Sequence, residues 1–485
     1  MTDADAVVVG AGPNGLVAAI VLAEAGLRTI LFEAASRPGG ALRTEELTLP
    51  GFRHDVGATV HALALASPAF RALQLERDGL AFAHPALPLG HALAPGRSVL
   101  LDRDPARTAE GLGVDGPRWN AVLGGFARKW EGVASASLDL TRIPPEHPAT
   151  LIDLGLHGAF PATFPIRRVF RDDPARALFA GLAVHAGLPL TALGSAAFGI
   201  VLGSLAHGVG WPVAVGGSER VAEALVERFT TLGGEIITGR RIRSLDELPA
   251  AGVTILDVDA RQFARLAGDR LPPGYRRRLE RWRTGPGVFK VDWALDAAIP
   301  WADEALSGAG TVHLGGSAET VIASEAAAHR GAVSGEPYVL LVQPTVADAT
   351  RAPAGKHTAW AYIHVPNGWD GDATGLIERR IESFAPGFRD RILARHAFSP
   401  AALEAWDANL VGGDIGGGAN DWRQLFARPR AALAPWRTPI PGVWLASAST
   451  LPGGGAHGMA GWNAAHDAVR RAGSPAHTRR VQSLA

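Results

Sequence analysis

The feature that most constrains this chain is a glycine pattern wedged between an apolar run and a helix-forming stretch near its start. Ala6-Val7-Val8-Val9 is a short continuous apolar run, mostly β-branched, as in a strand buried on both faces. Gly10-Ala11-Gly12-Pro13-Asn14-Gly15 follows at once. Leu16 to Ala25 then reads as a helix ended by Gly26, and Arg28 to Phe32 as a second strand with Glu33 at its tip. Each part has a physical task. Gly10 permits the tight turn, Gly12 lets the backbone approach a pyrophosphate, and Gly15 lets the helix pack closely on the strand. The helix N-terminus offers free N–H groups and a positive dipole end. Glu33 stands 18 residues past Gly15, where a carboxylate accepts both ribose hydroxyls and repels a 2′-phosphate. Glycine is abundant, at 59 of 485 residues, so a bare glycine pattern says little. Strand, glycines, helix, second strand and terminal acid together specify a dinucleotide site.

Composition narrows the classes. A chain of 485 residues, 47% hydrophobic and 19% charged, is expected to fold as two domains with large cores. Lys plus Arg and Asp plus Glu are equal at 47 each, with no basic or acidic tail, which argues against nucleic-acid binding. Cysteine is absent, which excludes disulfides, thiolate metal sites, a redox-active dithiol and a flavin tethered through sulfur. The start, Met-Thr-Asp-Ala-Asp, has no basic n-region, so a cytoplasmic location without a signal peptide is expected.

Three more segments bear on the same site. Arg37-Pro38-Gly39-Gly40-Ala41-Leu42-Arg43-Thr44 is a second glycine loop soon after the acid. Gly216-Gly217-Ser218-Glu219 precedes an amphipathic helix, Arg220 to Thr231, that Ser218 is expected to cap. Strands are expected at Glu235 to Thr238 and at Val253 to Val258. Near the C-terminus, the strand around Trp444 leads into Ser447-Ala448-Ser449 and on to Gly453-Gly454-Gly455-Ala456-His457-Gly458-Met459, with a helix from Trp462 to Ala472. A glycine loop between strand and helix is again a cradle for an anion.

Taken in this order, the segments resemble the phytoene desaturase-like (phytoene dehydrogenase-related) branch of the FAD-dependent oxidoreductases, cousins of the flavin amine oxidases. The resemblance implies FAD, held non-covalently. It puts Gly10, Gly12, Gly15, Glu33, Gly39, Gly40 and Arg43 on the FAD motif, and Gly454, Gly455, His457, Gly458 and Met459 on the closing motif. It brings Gly57-Ala58-Thr59-Val60-His61 close to the isoalloxazine and the backbone near Ile242 to the adenine. Where amine oxidases carry an acid on the closing strand, this chain reads Ser447-Ala448-Ser449. With only three tyrosines, no aromatic pair that would frame an amine is identifiable. Both departures count against an amine substrate.

The expected architecture is α/β: a discontinuous Rossmann-like FAD-binding domain of the glutathione-reductase kind from residues 1–75, 208–262 and 433–485, and an α+β substrate domain from 76–207 and 263–432. The first excursion is rich in Ala and Leu and is expected to be helical. It ends in the run Gly187 to Gly210, broken by Pro189, Gly194, Gly199 and Gly203 and so unsuited to span a bilayer. Core helix, wall of a tunnel for a long hydrocarbon, and a surface for peripheral membrane contact are the readings of this run. The second excursion is expected to hold strands at Phe289 to Leu295, Tyr338 to Gln343 and Ala359 to Val365, and a helix at Ile377 to Phe384. Its loop Gly412 to Asp421 is read either as a close backbone approach to flavin or substrate or as a surface loop. His457 is the catalytic candidate, as a charge-steadying group or proton relay. His54, Asp55 and His61 are weaker ones, and no metal site has ligand spacing. The expected reaction is hydride removal from, or isomerisation of, an apolar polyene or isoprenoid-like small molecule. An amine or small-molecule oxidase and a non-catalytic FAD-binding scaffold are the alternatives.

Overall fold

A computed structural model describes residues 4–473. The first three residues of the expected leader-free start, and the end of the segment 433–485, lie outside them. The apolar run Ala6–Val9 is a strand with almost no exposed surface. It is the centre of a five-stranded sheet in the order Val443–Leu445, Val253–Leu256, Ala6–Val9, Thr29–Phe32, Glu235–Ile237, with every pair parallel. A strand covered on both faces must be apolar at consecutive positions. Ala6 and Val8 accordingly face one core with Leu16 and Ile20, while Val7 and Val9 face another with Phe263.

Pro13 opens the first helix, Pro13–Glu24, where its missing N–H costs nothing. The helix is clasped between Glu219–Thr231 and Met459–Ala472. Two glycines permit this. A Cβ on Gly15 would stand 1.9 Å from the Gly10 carbonyl oxygen, and one on Gly461 would stand 1.8 Å from that of Asn14. One local expectation is corrected. Ser218 does not cap its helix, because its own φ and ψ, −63° and −23°, are helical. Its hydroxyl instead donates to the Ala58 carbonyl at 2.6 Å and accepts from the His61 ring at 2.9 Å, fixing the segment 57–61.

The second sheet has seven strands in the order Ile392–Phe398, Gly287–Leu295, His357–Val365, Val339–Val342, Ala309–Leu314, Leu87–Ala94, Arg97–Leu101. All pairs are antiparallel except Ala309–Leu314 with Leu87–Ala94. One face packs on the helix Thr374–Phe384 through Phe289, Val291, Trp293, Ile377 and Ile381. The first excursion is therefore not all helical: it contributes the strands Leu87–Ala94 and Arg97–Leu101.

Its helices, including Pro148–Gly158, Asp173–Val184 and Ser195–Gly208, form one apolar core. Ser195–Gly208 is the middle of the long uncharged run. Its glycines serve packing: a Cβ on Gly199 would meet the Phe179 ring at 2.9 Å, and one on Gly203 would meet Leu123 at 2.9 Å. No helix among the described residues is long and apolar enough to cross a membrane.

Candidate active site

A cavity of about 1110 Å³ runs between the two sheets. That slightly exceeds the range of about 300–1,000 Å³ usual for small-molecule sites. The C-terminal edge of the parallel sheet closes one end, as expected for ligand sites in such sheets. The floor is one face of the seven-stranded sheet, where Lys290, Thr311, Leu340, Val342, Trp360 and Tyr362 point inward at strand spacing. Phe198, Val201 and Leu202 of the uncharged run form part of the roof, so that run is at once core helix and cavity wall.

At the glycine-loop end, Gly10 (φ 97°) makes the turn, and Gly12, Glu33, Gly40 and Arg43 line the wall. The two glycine loops touch: a Cβ on Gly40 would lie 2.9 Å from the Gly12 Cα. Gly39 (φ 128°) donates its N–H to the Ala11 carbonyl at 2.8 Å and lies behind the wall. Glu33 accepts the N–H of Ala11 at 2.7 Å and of Ala35 at 2.8 Å. Each carboxylate oxygen keeps a lone pair, so two hydroxyl donors can still be met. Arg43 is held by stacking on Trp406, with its guanidinium carbon 4.0 Å from the ring centre. Ile242 lies on the wall beside Arg240, whose backbone N–H donates to the Glu33 carbonyl at 2.9 Å.

In the middle of the cavity, Gly57 and Ala58 line the wall, and a Cβ on Gly57 would lie 2.4 Å from the Ala41 carbonyl oxygen. Gly454, Gly455 and His457 face them from the closing loop. The close approach that the glycines of 412–421 make is to the closing loop: a Cβ on Gly454 would be 2.8 Å from the Gly416 carbonyl oxygen. Gly15, Gly458 and Met459 do not reach the wall. Gly458 (φ 68°) starts the last helix, and Met459 is wholly buried in its core.

The histidines are sorted by their surroundings. His457 is buried, and burial lowers its pKa to about 4, so it is a neutral ring at pH 7. The Met459 N–H donates to its Nδ1 at 3.1 Å, which places the ring proton on Nε2. That Nε2–H is buried against the backbone of Gly453 and Gly454. His457 is thus a neutral ring that braces the closing loop from within, not a cation at the wall. His61, also held near 4 by burial, and His54, held near 3 by burial and then by Lys290, are neutral and bonded to Ser218 and Thr48. Asp55 is fully buried in an ion pair with Arg351 at 2.6 Å and accepts from Thr44 and Ser218. These three residues brace the cavity wall and do not form it.

Several wall residues escaped the sequence reading. Lys290 is nearly buried and reaches both oxygens of Asp292 at 2.6 Å and the Asp55 carbonyl at 3.0 Å. A Lys and an Asp two apart in an apolar strand sit on one face, a signal that was available. Trp360 and Tyr362 stack side by side, 6.0 Å apart and 13° from parallel, with the Trp360 N–H donating to Thr59 at 3.0 Å. They form a flat floor and leave no gap between them for a substrate. Asp257, at the end of Val253–Leu256, accepts the Gly15 N–H at 2.9 Å.

The glycine loops that meet where a Cβ would intrude and the acid with free lone pairs fit a bound FAD. A family model for an NAD(P)-binding Rossmann-like domain matches residues 8–74. The chain is 28% identical to a rat "Pyridine nucleotide-disulfide oxidoreductase domain-containing protein 2", over 96% of this chain and 93% of that one. It is 27% identical to a Streptomyces griseus phytoene dehydrogenase, over 80% of this chain and 77% of that one. A putrescine oxidase variant shares the fold, with a TM-score of 0.62, 18% identity, and coverage of 96% and 99%.

Relatives and fold together support an oxidoreductase of the FAD-dependent family, with a Rossmann-like parallel sheet and a second domain over it. The chain is a distant homologue of the phytoene dehydrogenases and desaturases, and flavin amine oxidases share its fold.

Proposed function

We propose that this protein binds FAD non-covalently and dehydrogenates or isomerises an apolar, polyene or isoprenoid-like small molecule. The observation that carries the substrate class is where the charges lie. The carboxylates on the cavity wall are Glu33, Asp257, Asp259 and Asp407, all at the glycine-loop end. Beyond that end the wall is mostly apolar and aromatic, and its one charged side chain, Lys290, is paired with the buried Asp292. An ammonium substrate would find no unpaired counter-charge there. A long hydrocarbon would meet Leu154, Phe198, Val201, Leu202, Leu340 and Trp360, and burial is worth about 25 cal/mol per Å² of apolar surface.

The residues divide the work along the cavity. Glu33 takes the ribose hydroxyls, and the loop Gly10 to Gly15 takes the pyrophosphate. His457, a neutral buried ring, holds the closing loop in place beside the bound group. The flat Trp360–Tyr362 surface orients the substrate, and the apolar roof keeps water out. Bound FAD supplies the hydride acceptor. The chain has no cysteine, so the disulfide chemistry in its rat relative's name has no residue to carry it. The mouth is rimmed by exposed apolar side chains, Leu193 at 56%, Trp422 at 55% and Phe426 at 68% exposure. Peripheral contact of this rim with a membrane surface, as the source of an apolar substrate, is part of the proposal.

The test is anaerobic titration of the purified yellow protein. Extracted lipids rich in polyenes are expected to bleach its visible absorbance or to emerge isomerised, while primary amines leave both unchanged. Bleaching by amines alone would sink the proposal, and inertness toward every lipid fraction would leave a binding scaffold.

A further inference from the structure

Asp257 occupies an unusual place. Its backbone N–H donates to the Val9 carbonyl at 2.7 Å, which sets it directly beside the glycine turn. A Cβ on Gly10 would lie 2.7 Å from its carbonyl oxygen, and one on Gly12 would lie 3.0 Å from its Oδ2. The same Oδ2 accepts the Gly15 N–H at 2.9 Å. The carboxyl therefore lies in the crook of the loop, over the N-terminus of Pro13–Glu24, buried yet on the cavity wall. That is where peptide dipoles favour an anion and where the pyrophosphate of a dinucleotide is drawn. The charged groups that bear on it are both acids: Asp407, which follows Pro400–Trp406, and Glu33, which follows Thr29–Phe32. Arg43 and Arg241 act on Asp407, and Asp259 is engaged in capping Ala260–Ala267.

Two anions in one crook, with two further carboxylates beside them, repel strongly in a water-poor cavity. We infer that the site accepts its pyrophosphate only with Asp257 protonated, the carboxyl then donating a hydrogen bond to a phosphate oxygen. The inference rests on FAD being the occupant. The protonated form is the resting one at neutral pH: burial, then Asp407 and Glu33, push the Asp257 pKa up to about 8, against the pull of the Gly15 N–H. Below that value the proton is already present and binding is independent of pH. Above it one proton must be taken up with each FAD, and affinity falls by about tenfold per pH unit.

The experiment is FAD titration of the cofactor-stripped protein, followed by flavin fluorescence between about pH 7 and about pH 9. The dissociation constant of the wild type is expected to rise by about tenfold across that range. Asp257→Asn keeps an acceptor for Gly15 and a donor for phosphate, so it should bind at pH 7 and stay flat. Titration calorimetry of the wild type in two buffers of different ionisation enthalpy should report proton uptake approaching one per FAD at the upper pH and none at the lower. A wild type that binds FAD equally well throughout, without proton uptake, overturns the inference and leaves the cofactor reading intact. An Asp257→Asn protein that keeps the wild-type slope does the same. A wild type that binds no FAD at any pH overturns the cofactor reading itself.

Discussion

Gly12→Val and Glu33→Arg are each expected to purify folded and colourless. The reasons differ. Gly12 has φ −73° and ψ 177°, a conformation open to any residue, and a Cβ there would have only the flexible Asp257 carboxyl within 3.4 Å. The loop can therefore accept a side chain, but that side chain fills the space where phosphate must meet backbone. Glu33→Arg removes two charge-assisted hydrogen bonds to ribose, each worth about 1.5–3 kcal/mol, or roughly 10- to 150-fold in affinity. It also removes the acceptor that steadies the Ala11 and Ala35 N–H groups. Gly15→Val is the contrast: its Cβ would sit 1.9 Å from the Gly10 carbonyl oxygen, so that variant should fail to accumulate as folded protein. The check is the ratio of visible to ultraviolet absorbance after gel filtration, with circular dichroism to confirm the fold. Wild-type colour in both Gly12→Val and Glu33→Arg would show that the nucleotide lies elsewhere.

The second large effect concerns stability. Arg351 and Asp55 are both completely buried, with a guanidinium nitrogen 2.6 Å from a carboxylate oxygen. Burial alone would raise the Asp55 pKa, but Arg351, aided by the Ser218 N–H and the Thr44 hydroxyl, holds it below the usual value. Arg351→Met leaves that carboxyl in the interior without its counter-charge. Breaking a buried pair from one side costs about 3–5 kcal/mol. For a chain of 485 residues that unfolds as one unit, this lowers the melting midpoint by about 3–5 °C. Adding Asp55→Asn should recover most of the loss, because the amide can be buried uncharged and can still accept from Ser218 and Thr44. A single variant that melts with the wild type would show that the pair contributes nothing net.

What the sequence made legible was local. The strand Ala6–Val9, the glycine turn, the helix and Glu33 lie within a few turns of one another, and their spacing alone carries the geometry. The strands Glu235–Ile237, Val253–Leu256 and Gly287–Leu295 were legible for the same reason. Leu87–Ala94 and Arg97–Leu101 were not, because Ala and Leu favour helix, and it is the pairing of Leu87–Ala94 with Ala309–Leu314, and of Arg97–Leu101 with Leu87–Ala94 in turn, that makes them strands. Ser218 looked like a cap by position, but its hydroxyl bonds partners far away in sequence. Asp257 escaped for want of any local signature: it meets Gly15 across 242 residues of chain. The floor of Lys290, Trp360 and Tyr362 is likewise a product of sheet pairing, so the substrate side was the part least readable in advance.

The central claim is that the cavity between the two sheets holds FAD. The most direct measurement is to denature the purified native protein and identify the released small molecules by mass and absorbance. FAD is expected, free of covalent attachment and equimolar with the chain. Release of NAD(P) in its place, or a colourless protein that takes up no added FAD, would contradict it.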